Sequence, residues 1–268
     1  MREEIIGLAV EHVSRVVLDE LARGEAPTAD ALRLLLRGYA ATGRDDFRDA
    51  LEAGLASALE ISADSSSESS PQWLMLFAEA ADASDDERLR DAVSNLASKV
   101  RMIWGATRSI GLAALSVEAC LRAKVDLRSA VDELERIVGA RYEPGEGIDG
   151  SIEDEVRVAS ALLTAFFITD RLPYAMLAEE LIRRTRRMLP GARNLSFAAQ
   201  CDAAAVLARM AALHLNDEYR AAAVIAPDAR YADDAAGILE RLAGDAGAHG
   251  LAGAAYGLAA GELQSAIP

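Results

Sequence analysis

Five aspartates mark five similar turns in this chain, and they recur at a nearly constant interval. Asp45, Asp85, Asp126, Asp170 and Asp217 are separated by 40, 41, 44 and 47 residues. Each follows an Ala-rich apolar stretch and precedes a second amphipathic stretch. Apolar side chains at helical spacing predict a helix on both sides of each turn. A period of this length therefore predicts a repeated helical hairpin.

The number of predicted helices indicates how the repeats are arranged. Five hairpins give ten helices, and apolar stretches at residues 2–23 and 250–264 give one more at each end. The last stretch is too apolar to be the exposed cap of an open solenoid, which needs a polar outer face. We therefore predict that the first and last helices pair and close a ring. The fold class is all-α, a single α/α toroid of about twelve helices in six hairpins over residues 1–268.

The charge of the chain excludes some classes of partner. A formal net charge of −15 repels phosphate backbones and acidic lipid surfaces, so neither a nucleic acid nor a membrane is expected. Acidic residues and His12 interrupt the first apolar positions, so no signal peptide is expected. Cys120 and Cys201 lie in Ala/Leu-rich stretches and are expected to be reduced, buried thiols. These features predict a cytoplasmic location.

The connections between the predicted helices are of two kinds. The five aspartate turns are short, whereas the connections between hairpins are longer and span residues 62–72, 102–109, 142–151, 190–195 and 244–250. Hairpin geometry places all short turns at one end of the ring, here called the short-turn end. The longer connections lie at the other end, here called the long-loop mouth. Long loops on a rigid scaffold commonly carry function, so the mouth is the expected site.

Acidic residues cluster at the mouth around the start of a predicted inner helix. Glu153, Asp154 and Glu155 follow Glu146 and Asp149 in the sequence. Two carboxylates facing each other across a cleft can act as acid and base on a glycosidic bond, so Asp154 and Glu155 are candidate catalytic residues, with Asp149 or Glu146 as the second group. Acids in a first helical turn also cap free N–H groups and complement the helix dipole. The sequence leaves both interpretations open.

Aromatic and amide side chains near the same end are candidates for ligand binding. Rings can stack on a sugar or a peptide while amides and cations orient it. Tryptophans at helix ends also pack as structural plugs, and this alternative stays open. The candidate ligand-binding residues are Trp73, Trp104, Arg141, Tyr142, Asn194, Gln200 and His249.

Two patterns raise the question of a metal. The segment Asp45-Asp46-Phe47-Arg48-Asp49 resembles the motif by which class I terpene cyclases hold magnesium diphosphate, but it coincides with the repeat turn. Residues 247–253 around His249 resemble a repeat of lanthionine-synthetase cyclases, whose zinc is held by two cysteines and one histidine. Cys120 and Cys201 lack the ligand spacing that such a site needs. We therefore predict neither a metal site nor a cofactor.

Three turn segments carry a resemblance to a known family. Residues 40–50, 168–175 and 215–222 resemble the repeat of α/α-toroid proteins, and the chain is similar to the six-hairpin glycosidase-like superfamily. Residues 150–264 also look similar to the toroid portion of thioredoxin-fused, spermatogenesis-associated proteins. The resemblance implies an α/α toroid. It also implies that an acid at the start of an inner helix can be catalytic, which points to Asp154 or Glu155.

These observations leave three functional hypotheses. The preferred one is a non-catalytic binding or scaffold toroid, with a small molecule, a carbohydrate or a protein partner at the long-loop mouth. The alternative is a carbohydrate-active enzyme, a glycoside hydrolase or sugar isomerase that uses paired carboxylates. A metal-dependent cyclase is the third, and it would require bound zinc or magnesium.

Overall fold

Six helices form a closed inner ring in the computed structural model, which describes residues 2–63, 66, 68–189, 195–222 and 229–266. They are α2 (Ala29–Thr42), α4 (Ser70–Ala83), α6 (Ile110–Arg122), α8 (Ile152–Thr169), α10 (Phe197–Leu213) and α13 (Ala254–Ala266). Each packs against the next in this order, and α13 packs back against α2. All six begin at the long-loop mouth and run toward the short-turn end.

The remaining helices form an outer layer around this ring. They are α1 (Arg2–Ala22), α3 (Asp45–Ala63), α5 (Glu87–Ala106), α7 (Leu127–Arg141), α9 (Leu172–Met188), α11 (Asp217–Ala222) and α12 (Tyr231–Leu242). Helix α1 packs against α13, and a 3₁₀ helix at Ala246–Gly253 leads into α13. The predicted α/α toroid and its closure by the first and last helices are confirmed. The described residues form thirteen α-helices rather than twelve, because the returning part of the fifth hairpin comprises α11 and α12. Residues 223–228 between these two helices, which include Pro227, lie outside the described residues.

The five turn aspartates occupy positions that differ in backbone conformation. Asp126 and Asp170 adopt positive φ angles of 48° and 55°, which aspartate tolerates better than most residues. Asp45 and Asp217 are the first residues of α3 and α11, where a carboxylate complements the helix dipole. Asp85 directly precedes Asp86, whose side chain accepts a hydrogen bond from the backbone N–H of Arg88 at 2.9 Å. The regular spacing therefore reflects several ways of using an acid at a helix end.

Small side chains allow the inner helices to approach one another. Alanines of the inner helices are fully buried at positions 114, 161, 165, 204, 208 and 260. At the joint that closes the ring, a Cβ on residue 257 would lie 2.6 Å from Cδ1 of Leu34, so Gly257 permits α13 to pack on α2. Larger side chains such as Leu74, Phe77, Leu162 and Leu181 fill the hydrophobic core. Such close packing is typical of protein interiors.

The long connection between α7 and α8 is more ordered than the sequence suggested. It contains a short antiparallel pair of strands, β1 (Tyr142–Glu143) and β2 (Gly147–Ile148), with Tyr142 opposite Ile148 and Glu143 opposite Gly147. This hairpin packs against α9 and α8. Among the helices that the structure describes, none has both the length and the apolar character needed to cross a lipid bilayer.

Candidate functional site

The inner ring surrounds a narrow space on the toroid axis, here called the axial cavity. Its volume is about 120 Å³. Charged side chains reach this space because they recur three or four residues apart on one helix and therefore share a face. Arg33 and Arg37 lie on α2, Glu118 and Arg122 on α6. Further charged residues at the cavity are Asp30, Arg157, Asp202, Arg209 and Glu262.

One ion-pair network crosses the axis between α2, α4 and α13. Arg33 Nη2 lies 2.7 Å from Glu79 Oε1, and Arg37 Nη2 lies 3.1 Å from the same oxygen. Arg37 Nη1 also contacts Glu262 Oε1 at 3.0 Å. Burial alone would raise the pKa of Glu79, but the charges of Arg33 and Arg37 and their hydrogen bonds outweigh it and lower that pKa to about 2. Glu79 is therefore held ionised.

A second network lies beside the first and joins α6, α8 and α10. Arg122 Nη2 contacts Glu118 Oε1 at 2.8 Å, and Arg209 Nη1 contacts the same oxygen at 3.3 Å. Thr164 donates its hydroxyl to Glu118 at 3.0 Å. Burial acts to raise the pKa of Glu118, but Arg122 and Arg209 outweigh it and lower the pKa to about 2. Burial and the charge of Arg122 lower the pKa of Arg209 to about 10.

Asp202 differs from the other axial acids because nothing neutralises it directly. Its part-buried carboxylate makes no hydrogen bond or ion pair within the described ranges of the chain, although Arg157 lies close enough to act through its charge. Burial, and then the neighbouring charge of Asp30, raise the pKa of Asp202 to about 7 against the opposing effect of Arg157. Asp202 is therefore the axial acid that can change protonation near neutral pH.

The predicted catalytic acids lie outside the lining of the axial cavity. Asp154 forms a capping box with Ser151 at the start of α8, and its Oδ1 also accepts the backbone N–H of Gly111 at 2.7 Å. Glu155 is fully buried beside α9, where it pairs with Arg184 and accepts the hydroxyl of Thr185 at 3.2 Å. Burial raises the pKa of Glu155 against the opposing charge of Arg184.

The third predicted catalytic acid is on the rim of the mouth. Asp149 Oδ2 contacts Arg141 Nη1 at 3.2 Å, and both side chains are exposed. Asp149, Asp154 and Glu155 thus each have a structural partner, which agrees with the capping alternative for Asp154. Whether any of the three is catalytic stays a prediction.

Two of the predicted ligand-binding residues meet in one cleft at the long-loop mouth. Trp104 and Arg141 line a cleft of about 350 Å³ together with Arg108 and Arg136. The indole Nε1 of Trp104 is buried and has no hydrogen-bond partner among the described residues. Both tryptophans are largely buried, Trp104 with 9% and Trp73 with 5% of its surface accessible, and the Trp73 ring stacks on Phe77 with centroids 6.0 Å apart. The plug alternative therefore describes Trp73 better than a binding role does.

The other predicted ligand-binding residues have separate local partners. Tyr142 donates its hydroxyl to Glu180 at 2.7 Å, and Gln200 donates its amide to the carbonyl of Leu195 at 3.2 Å. The ring of His249 stacks on Phe197 with centroids 3.8 Å apart. Asn194 lies outside the described residues. The structure thus brings together Trp104 and Arg141, whereas each of the other described candidates has its own local partners.

The carboxylates of the magnesium-like segment are paired with arginines. Asp45 Oδ1 and Asp49 Oδ1 each lie 3.0 Å from Arg48, and Asp46 Oδ2 lies 2.6 Å from Arg44. Within the described ranges, no group of three or more His, Cys, Asp or Glu side chains could hold a metal ion.

The two cysteines are buried free thiols. Burial raises the pKa of Cys120 to about 12 and also raises the pKa of Cys201. Low thiolate content makes both of them poor nucleophiles and poor ligands.

The axial networks are the feature that the sequence analysis missed. The available signal was the charged pair at positions i and i+4 within helices that are otherwise rich in alanine and leucine, as in Arg33 with Arg37 and Glu118 with Arg122. Such pairs also occur on solvent-exposed faces, so their position on the axis becomes evident only once the ring is assembled.

Comparison with known proteins supports the architecture. No protein-family model matches the chain, and no curated protein sequence does. Among solved structures, the chain is similar to the GH76A alpha-1,6-mannanase from Salegentibacter sp. HEL1_6, with a TM-score of 0.64 and 11% sequence identity over 99% of both chains. At this identity the similarity establishes the fold alone. The chain therefore has the α/α-toroid fold, as the resemblance implied.

Proposed function

We propose that this chain is a non-catalytic binding or scaffold toroid whose ligand or protein partner binds at the long-loop mouth. The observation that carries this proposal is the filled axis. Arginine–glutamate pairs occupy it and leave about 120 Å³. Sites for small molecules commonly enclose roughly 300 Å³ or more, so a sugar ring would have to displace ion pairs to enter. Displacing one partner of a buried pair is costly.

The cleft at Trp104 and Arg141 supports the mouth as the place of binding. It is larger than the axial cavity, at about 350 Å³, and it is lined by the largely buried indole of Trp104 and by exposed guanidinium groups. An aromatic face and a cation can orient a carbohydrate or a peptide. We further propose that the protein works in the cytoplasm with both cysteines reduced. The narrower resemblance to thioredoxin-fused, spermatogenesis-associated proteins stays a prediction.

The alternative function is a carbohydrate-active enzyme, and one observation favours it. Asp202 has a pKa raised to about 7, and such an acid can donate a proton to a leaving-group oxygen at neutral pH. The fold shared with an alpha-1,6-mannanase makes a mannan the first substrate to test. In this alternative the axial ion pairs would have to open around the substrate.

An activity assay on matched variants separates the two proposals. The full chain, D202N and E155Q are incubated with α-1,6-mannan and a set of aryl glycosides, and released reducing ends are measured. We expect all three proteins to give the background rate. Turnover by the full chain that is lost in D202N would establish the enzyme and contradict the scaffold proposal. If turnover were lost in E155Q alone, Glu155 would be the catalytic residue.

Binding at the mouth is tested separately by tryptophan fluorescence. The chain has two tryptophans, and only Trp104 lines the mouth cleft. Manno-oligosaccharides that bind there should change the emission of the full chain, and W104F should abolish the change while W73F should retain it. Binding without turnover supports the proposal for a carbohydrate ligand. If the emission is unchanged and no oligosaccharide is lost from solution, these sugars are excluded as ligands.

A further inference from the structure

The axis has a second opening at the end opposite the long-loop mouth. The C-terminal turns of α6, α8, α10 and α13 surround a pocket of about 400 Å³, here called the short-turn pocket. This volume falls within the range of roughly 300–1,000 Å³ that is usual for small-molecule sites. Arg122, Arg209 and Glu262 line both this pocket and the axial cavity, so the floor of the pocket is the axial charge network.

The rim of the short-turn pocket is apolar and exposed. Phe167 and Ile168 lie next to each other at the end of α8, with 57% and 38% of their surface accessible. The fully buried Leu121 continues this apolar wall into the pocket. Large apolar side chains gathered at the entrance of a polar cavity are characteristic of binding sites.

Cationic side chains outnumber carboxylates in the lining of the pocket. Arg122 and Arg209 lie at its floor and the exposed Lys124 lies at its edge, together with one carboxylate, Glu262. That carboxylate is already engaged by Arg37, at 3.0 Å.

The neutralisation of the two guanidinium groups is incomplete. Arg122 and Arg209 share the single oxygen Oε1 of Glu118, and Arg122 Nη1 donates no hydrogen bond within the described part of the chain. Burial, and then the like charge of Arg122, lower the pKa of Arg209 to about 10 against the opposing charges of Glu118 and Glu262.

Cations near helix C-termini also have a purely structural explanation. The exposed carbonyl groups of the last turn favour positive charge, and this effect needs no ligand. It does not account for Phe167 and Ile168, which remain exposed beside the cations. The combination of an apolar rim and an under-neutralised cationic floor fits a ligand with one anionic end and one apolar end.

We propose that the short-turn pocket binds a small amphiphilic carboxylate. Its carboxylate lies against Arg122 and Arg209, and its hydrocarbon part covers Phe167 and Ile168. Arg122 Nη1 is the donor available to this carboxylate, while Arg209 contributes mainly its charge, because its Nη1 and Nη2 already donate to Ser160 and Thr164. A hydrogen bond between a guanidinium and a carboxylate is strengthened by the opposite charges of the two groups. A site at this end leaves the long-loop mouth free for its own partner, so either site can exist without the other.

The proposal is tested by calorimetric titration of the full chain with phenylacetate and with hexanoate. Phenylacetamide, which has the same shape as phenylacetate without its charge, serves as the matched neutral ligand. We expect saturable binding of at least one carboxylate at one site, weaker by about tenfold or more for the amide. R122Q and F167A should each weaken carboxylate binding by a similar factor.

Two control variants lie outside the pocket. Arg88 is an exposed arginine that pairs with Asp86, and Met102 is an exposed apolar residue at the other end of the ring. R88Q and M102A should bind the carboxylate as the unchanged chain does. If R122Q fails to fold, K124Q provides the second charge variant, because Lys124 is exposed and pairs only with Asp82 among the described residues.

Three results would overturn the proposal. The first is the absence of saturable binding for both carboxylates. The second is binding of phenylacetamide as tight as that of phenylacetate, which would show that the negative charge of the ligand does not contribute to binding. The third is unchanged affinity in F167A and in the folded charge variant, which would place the ligand elsewhere.

Discussion

Replacing Asp202 with asparagine should stabilise the fold above neutral pH, and the size of this gain tests whether Asp202 can hold a proton there, as the alternative function requires. Burial raises the pKa of Asp202 from the ordinary value of 3.8 to about 7 in the folded protein. Between these two values the folded protein keeps a proton that the unfolded chain has released. Because the folded state binds more protons in this window, stability falls as the pH rises through it.

The structure gives the size of the effect. A pKa raised from 3.8 to about 7 corresponds to a cost of at most about 4 kcal/mol for ionising Asp202 in the folded state. Asparagine has nearly the same shape and no charge, so D202N removes this cost. We expect D202N to be more stable than the unchanged chain by up to about 4 kcal/mol near pH 8, and by nearly nothing near pH 4.

The assay is urea unfolding followed by circular dichroism at several pH values. D85N is the matched control, because Asp85 is fully exposed in a short turn and pairs only with Arg90 among the described residues. The free energy of unfolding of D85N should equal that of the unchanged chain at every pH. If D202N is no more stable than the unchanged chain near pH 8, then Asp202 is well solvated or directly paired. Asp202 would then not be an acid that changes protonation near neutral pH.

Three further predictions concern the remaining buried groups. E118Q should destabilise the fold by about 3 kcal/mol near neutral pH, because the pKa of Glu118 is lowered from 4.5 to about 2. This loss of stability should vanish as the pH falls from about 4.5 toward 2. The control E240Q, at a surface ion pair, should change the free energy of unfolding in urea by less than about 1 kcal/mol. Cys120 and Cys201 should react with a thiol reagent only after denaturant unfolds the chain, since burial raises the pKa of both; rapid reaction of the folded protein would contradict this. E179Q should lower the melting temperature, because three side chains donate hydrogen bonds to this buried carboxylate, and an unchanged melting curve would show that they contribute little.

The ring could be predicted from the sequence because it depends on local signals that repeat. The spacing of the turn aspartates and the apolar character of the last helix predicted both the hairpins and their closure. The axial networks depend instead on how six helices rotate relative to one another. Arg33 and its partner Glu79 are 46 residues apart in the sequence, and Arg209 and Glu118 are 91 residues apart. No local sequence pattern therefore contains either contact.

The predicted catalytic acids illustrate a different limit. An acid in the first turn of a helix gives the same sequence pattern whether it caps that helix or faces a substrate. Asp154 caps its helix with Ser151, and Glu155 turns toward Arg184 rather than toward the axis. Only the direction of each side chain separates the two roles. That direction is set by the packing of α8 against α9 and α6.

The charges on the axis argue against acid–base catalysis at that place. Acid–base cleavage of a glycosidic bond requires two carboxyl groups that hold different protonation states at the working pH. Glu79 and Glu118 are fixed in the ionised form, with pKa values of about 2, because arginines hold them. Asp202 can carry a proton near neutral pH, yet its neighbour Asp30 contacts Arg33 at 3.3 Å. A base tied to a buried arginine is poorly placed to activate a water molecule, so the axial charges are better suited to holding the six inner helices together.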